Sequence, residues 1–258
     1  MHEIKNIGKK AGTIIYIHGN SSSSQVFLRT INSIKIEYTQ IAIDLPGHGK
    51  SQKHYCESYY SLNRYSEVLT TRINEIEDDI LLVGNSLGGH LAMEIASSIK
   101  RLKGLVIFGA PPVKKPINFS DAFLQCDAFS CFLTENPEVE DIKVATKTAV
   151  FDNTFVELLI NDFKNTDPKV RVALAKDLIE NNWSDQKEIF ISLAVPKYIF
   201  RGSHDPSVNP DYLEKIITEA NDHSSIIDFK NCGHFASIEQ EDTFIESIAS
   251  ISKTVFKV

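Results

Sequence analysis

A chain of 258 residues, 42 % hydrophobic and 24 % charged, is long enough for one large α/β domain and has ordinary globular composition. Its formal charge of −7 argues against nucleic acid or an anionic membrane surface as the main partner. No apolar run reaches the roughly 18 residues of a membrane span, and Met1-His2-Glu3-Ile4-Lys5-Asn6 has no signal-like stretch, so a cytoplasmic location is expected.

From the amino end, short β-branched runs alternate with helical spacing, the pattern of βα units around a mostly parallel sheet. Strands are predicted at 13–18, 39–44, 79–84, 104–109, 197–202 and 225–230, each rich in Ile, Val, Leu or Phe. Helices are predicted at 24–35, 62–77, 87–100, 210–220 and 239–258. The alternation stops at Pro111-Pro112 and resumes near Pro196. Helical spacing between them, as in Phe155, Leu158, Leu159 and Phe163, predicts a lid over the carboxyl ends of the strands. The reading is α/β, with a core of 1–110 and 197–258 and a helical lid insertion at 111–196.

Cys56, Cys126, Cys131 and Cys232 form neither a CxxC pair nor a dense framework, which favours reduced thiols. The eight histidines show no HExxH or clustered pattern, so no metal and no cofactor is implied.

Chemistry concentrates in the turns that follow strands. Gly84-Asn85-Ser86-Leu87-Gly88-Gly89 lies between the apolar run Ile80-Leu81-Leu82-Val83 and the helical run Leu91-Ala92-Met93-Glu94-Ile95-Ala96. That context is the one a nucleophile elbow requires, a sharp strand-to-helix turn presenting the Ser86 hydroxyl. Serine needs a base at neutral pH, and the base needs an orienting acid. Two late strands supply both, one running into Ser203-His204-Asp205-Pro206 and the other into Asn231-Cys232-Gly233-His234. Asp205 and His234 are therefore the predicted partners of Ser86, in the order serine, acid, histidine. Gly109-Ala110-Pro111-Pro112-Val113 offers no acid after the fourth strand. His204 reads as a solvated loop residue.

An oxyanion hole needs two backbone donors. Leu87 N–H is one candidate, and Asn20 N–H, in His18-Gly19-Asn20-Ser21, is the other. Asn20 and Ser21 are also the candidate substrate-binding residues. Asp44-Leu45-Pro46-Gly47-His48-Gly49-Lys50-Ser51 reads as a structural turn near the site mouth, with His18 and His48 as scaffold.

Together, these motifs resemble the lid-bearing α/β-hydrolase superfamily over nearly the whole chain outside the lid. Within it they are most similar to serine-dependent N-acyl-homoserine-lactone lactonases, in His18-Gly19-Asn20-Ser21-Ser22-Ser23, Asp44 to Ser51, Ser86-Leu87-Gly88-Gly89-His90 and Gly109 to Val113. The resemblance implies an α/β-hydrolase fold and a Ser-His-acid triad, with Asn20 contacting a lactone. Those lactonases carry glutamate where Asp205 stands, and use a lid tyrosine, whereas 111–196 contains none.

Seven phenylalanines between Phe119 and Phe163 suit an apolar acyl group. The insertion holds 14 acidic and 9 basic side chains, which disfavours an acidic carrier protein as partner. The expected substrate is thus a small apolar ester or lactone, cleaved through an acyl-enzyme. A carboxylesterase acting on another acyl ester, such as a pimeloyl-carrier methyl ester, stands beside that reading, as does a low-turnover small-molecule receptor on the same fold. Oligomeric state is not encoded in any of these motifs.

Overall fold

The computed structural model describes residues 1–220 and 223–257. One sheet contains β1 (His2–Asn6), β2 (Lys10–Ile17), β3 (Tyr38–Asp44), β4 (Ile80–Asn85), β5 (Leu102–Phe108), β6 (Lys197–Gly202) and β7 (Ser224–Phe229). Its order is β1-β3-β2-β4-β5-β6-β7, and every pairing is parallel except that of β1 with β3. The mostly parallel sheet expected from the sequence is the sheet that forms.

Both faces of the inner strands are covered, which explains their continuous apolar runs. Ile14 and Tyr16 of β2 pack with Val83, Phe108, Phe200 and Phe244 on one face. Ile15 and Ile17 pack with Leu82, Leu91, Met93 and Ile107 on the other. Strand β1 was not predicted, because His2-Glu3-Ile4-Lys5-Asn6 holds a single core-facing apolar side chain, Ile4. Such a polar strand suits a sheet edge, where one side stays solvated.

The helices are α1 (Leu28–Ile31), α2 (Leu62–Asn74), α3 (Leu87–Ala96), α4 (Phe119–Ala122), α5 (Val139–Ala149), α6 (Val156–Asn165), α7 (Pro168–Ile179), α8 (Gln186–Ser192), α9 (Pro210–Glu219), α10 (Ala236–Glu239) and α11 (Glu241–Phe256). The helix expected at 24–35 is reduced to a 3-10 turn, Ser24–Phe27, and one α turn. The α turn ends with Asn32 as its cap, and just beyond it the Ser33 hydroxyl accepts the Lys35 N–H at 3.3 Å, a local bond that competes with helix continuation. The run expected at 239–258 divides into α10 and α11 at Gln240, and its last residue, Val258, lies outside the described residues. No helix among the described residues is long and apolar enough to cross a membrane.

Helices α4 to α8 occupy the chain between β5 and β6. They join the rest of the fold through apolar side chains in both core clusters, Leu159, Phe163 and Leu174 among them, and through buried polar contacts. Ser23 Oγ donates to Asp162 at 2.8 Å, the Tyr60 hydroxyl to Asp167 at 2.7 Å, and Leu62 N–H to Asp177 at 2.7 Å. Asp162, Asp167 and Asp177 are all buried, as is Arg171. Part of the acidic surplus counted in this segment is therefore internal, and its surface is less negative than composition suggests.

Candidate active site

The strand order reverses between β2 and β4, which are neighbours although β3 separates them in sequence. In open parallel sheets, such a switch opens a crevice beyond the carboxyl ends of the strands. Gly19 and Asn20 follow β2 there, and Ser86 follows β4.

Ser86 has φ 51° and ψ −120°, a left-handed backbone that a serine adopts only under constraint. Two glycines make the turn sterically feasible. A Cβ on Gly84 would lie 2.3 Å from the Gly88 carbonyl oxygen, and one on Gly88 would lie 2.1 Å from that of Ile17. Ser86 N–H donates to Phe108 O at 2.8 Å, which locks the elbow to β5. Ser86 lines a cavity of about 170 Å³ together with Asn20, His234, Phe129 and Phe132.

His234 is held from several sides. Its N–H donates to Ala149 O at 2.8 Å, and its carbonyl accepts from Asn85 Nδ2 at 3.1 Å. The ring lies over Gly109 (φ 63°), where a Cβ would stand 2.5 Å from the imidazole Cε1. Nδ1 is 2.8 Å from Asp205 Oδ2. The other carboxylate oxygen accepts from Ser207 N–H at 2.9 Å and Ser207 Oγ at 2.7 Å. Both side chains of the Asp205–His234 pair are more than nine-tenths buried.

Burial alone would raise the Asp205 pKa, but the facing imidazolium and the Ser207 donors outweigh it and hold the carboxyl below its usual range. Burial likewise disfavours charge on His234, yet the Asp205 carboxylate wins and the imidazole pKa lies above its ordinary value. With Nδ1–H committed to the carboxylate, Nε2 is the nitrogen left to accept a proton. An ionised acid, an oriented imidazole and a half-buried, cavity-lining serine provide the parts for nucleophilic acyl transfer.

Asn20 lines this cavity and an adjoining one, but its Nδ2 donates to Phe132 O at 2.6 Å. Ser21, offered by the sequence as a substrate contact, lines neither of the two. It is buried, its hydroxyl donating to Asn20 Oδ1 at 3.1 Å and facing Arg171 Nη1 at 3.4 Å. The N–H groups of Asn20 and Leu87 have no hydrogen-bond partner among the described residues. His18 is sealed in the scaffold, with Leu45 N–H donating to its Nε2 at 3.0 Å and the ring 4.9 Å from that of His48. His204 is exposed, 4.5 Å from the Phe151 ring. Among the described residues, no three His, Cys, Asp or Glu side chains gather as a metal site would require.

An apolar trough of about 480 Å³ runs from Ser86 and Leu87 along Phe119, Phe123, Leu174 and Trp183. Four of the seven phenylalanines face one cavity or the other, namely Phe119, Phe123, Phe129 and Phe132. Phe151, Phe155 and Phe163 do not. Sequence reading missed Asn85, Gly109 and Ser207, which touch His234 or Asp205. Their only signal was position, immediately beside a proposed catalytic residue or at a strand end.

Comparison with known proteins gives three kinds of match. A family model described as "Alpha/beta hydrolase family" matches residues 14–247. The N-acyl homoserine lactonase AidH, solved with N-hexanoyl homoserine lactone, superposes with TM-score 0.89 at 23 % identity, covering 99 % of this chain and 94 % of that one. A thermophilic esterase from Thermogutta terrifontis superposes with TM-score 0.81 at 17 % identity, covering 99 % and 93 %. In sequence, 101 residues are 36 % identical to 2-succinyl-6-hydroxy-2,4-cyclohexadiene-1-carboxylate synthase of Serratia proteamaculans, 38 % of each protein. The first of the curated relatives, from Mycobacterium, match over 31 % of their own length.

Proposed function

The chain belongs to the α/β-hydrolase family, and we propose that within it this protein is a serine hydrolase of small apolar carboxylic esters or lactones. The observation that carries the proposal is the buried Asp205–His234 pair, 2.8 Å apart, opening on the cavity that Ser86 lines from its strained elbow. His234 Nε2 takes the Ser86 proton as Oγ attacks the carbonyl, and the Asn20 and Leu87 N–H groups receive the developing oxyanion. Collapse expels the alcohol, protonated by His234, and leaves an acyl group on Ser86. Water activated by His234 then releases the acid. Helices α4 to α8 act as the lid, and the trough receives the acyl chain.

For a lactone, the leaving alcohol stays tethered to the product, so ring opening and ester hydrolysis are the same chemistry on one triad. The likeness to AidH supports a lactone, and the likeness to esterases supports a linear ester. A panel of N-acyl homoserine lactones and linear acyl esters, assayed with wild type and Ser86→Ala, tests the proposal. Multiple turnovers abolished by Ser86→Ala are expected. A single slow burst would instead favour a receptor on this fold. Turnover that survives Ser86→Ala would overturn the nucleophile assignment.

A further inference from the structure

One buried histidine at the site has no part in the triad. His90 lies one helical turn beyond Ser86 on α3 and is only 6 % exposed, yet it lines both the serine cavity and the apolar trough. Its ring is packed edge-on against Trp183, with centroids 4.6 Å apart, and lies 6.0 Å from Phe123.

The hydrogen bonds around His90 dictate its tautomer. Glu94 Oε1 accepts from Gln186 Nε2 at 2.8 Å and from Ser184 N–H at 3.0 Å. A carboxylate only accepts, so the Gln186 amide nitrogen must face it and the amide oxygen must face His90. That oxygen is 2.8 Å from His90 Nδ1, so Nδ1 carries the proton. Nε2 is left as a bare acceptor, with no partner among the described residues. Burial also holds the ring neutral, its pKa pushed down to about 4, so it remains an acceptor throughout the range in which His234 titrates.

We propose that His90 Nε2 is a specificity-determining acceptor for a hydrogen-bond donor on the acyl side of the substrate, an amide N–H or a hydroxyl a few bonds from the scissile carbonyl. The inference rests on the ester reading above and narrows it. Ser86 and His90 line the same two cavities, which places the donor near the attacked carbon. Most of the trough wall is apolar (Phe123, Leu174, the Trp183 ring face), with Asn20, Ser86 and the unpartnered Trp183 Nε1 as its other polar groups, so a plain alkyl substrate would strip water from His90 Nε2 and offer it no donor in return. A largely apolar site that presents an unpaired acceptor disfavours analogues that lack the donor.

The test compares methyl esters of N-butanoylglycine and of 4-oxoheptanoic acid, which share shape and differ in having N–H or CH2 at one position. Each kcat/KM is divided by the ester's own hydroxide-catalysed rate. Wild type is expected to prefer the amide by about tenfold, and His90→Phe to reduce the ratio to about one. Gln186→Met, which frees the tautomer without removing the ring, should lower the ratio severalfold and serves if His90→Phe does not fold. Because the readout is a ratio between two substrates, a general packing defect leaves it in place. A wild-type ratio near one, or a ratio unchanged in both variants, overturns the proposal while leaving the ester reading standing. Failure of wild type to turn over any ester overturns both.

Discussion

The sheet and the helical insertion are held by different mixes of interactions. Ile14, Ile15, Tyr16 and Ile17 of β2 are fully buried and contact apolar neighbours on both faces, so the sheet is stabilised by area removed from water. The insertion shares those apolar clusters through Leu159, Phe163 and Leu174, and adds buried polar groups, among them Asp162 on Ser23, Asp167 on Tyr60 and Asp177 on Leu62 N–H. Arg171 adds bonds to Thr134 O at 2.8 Å and Glu135 O at 2.7 Å, with its guanidinium over the Phe163 ring. Apolar contact is tolerant of small shifts, whereas each polar bond exists in one geometry only. The sheet therefore supplies stability and carries the proposed triad at its strand ends, and the insertion supplies a wall positioned in part by buried polar bonds.

That division makes graded predictions. The largest effect belongs to the proposed triad at the strand ends. Ser86→Ala, His234→Ala and Asp205→Asn should each lower kcat by about 10³-fold or more, and the double variants should lose little beyond the singles. Steady-state kinetics on any turned-over ester checks this, and an intact kcat in Asp205→Asn would show the wrong acid was chosen. The same pair sets the pH dependence. His234 must be neutral to act as base, and Asp205 raises its pKa above 6.5, so activity should rise with pH through a midpoint above that value. Removing the carboxylate's charge in Asp205→Asn should move the midpoint down.

Next in size is the core. Leu82→Ala empties a fully buried position and should cost about 2–5 kcal/mol of global stability, seen as a lower urea midpoint at unchanged m-value. Arg171→Met should cost about 1–3 kcal/mol, because it orphans two carbonyls, and the loss should be local. Hydrogen exchange should accelerate over 127–135 while the β4 and β5 amides keep their protection, and KM should rise more than kcat falls. Equal acceleration in the sheet would dissolve the distinction between the two regions.

Smallest is the titration of Asp162, whose burial pushes its pKa up to about 6 from 3.8. Between those values the native state binds the proton more tightly than the unfolded chain does. The group's contribution to stability therefore falls as pH rises through about 4 to 6. Asp162→Asn still accepts from Ser23 and should flatten that slope in pH-dependent urea unfolding.

Much of the sheet was legible because its strands are continuous apolar runs, and much of the candidate site because Gly84 to Gly89, Asp205 and His234 each follow such a run. What escaped has physical reasons. Strand β1 is too polar to betray itself without its partner. Asp162, Asp167 and Asp177 read as ordinary surface acids, since nothing in a one-dimensional pattern tells a buried hydrogen-bonded carboxylate from a solvated one. His90 is visible in the motif, but its tautomer depends on Gln186, 96 residues away. Ser21 stood out beside Asn20 and proved to be packed behind it.

The central claim is that Ser86 carries the acyl group. Rapid acid quenching during turnover of a p-nitrophenyl ester, followed by intact-protein and peptide mass spectrometry, tests it directly. One acyl mass increment on the peptide containing Ser86, absent in Ser86→Ala, is the predicted result. An acyl group on any other residue, or full turnover with no acylated Ser86 at any quench time, would contradict it.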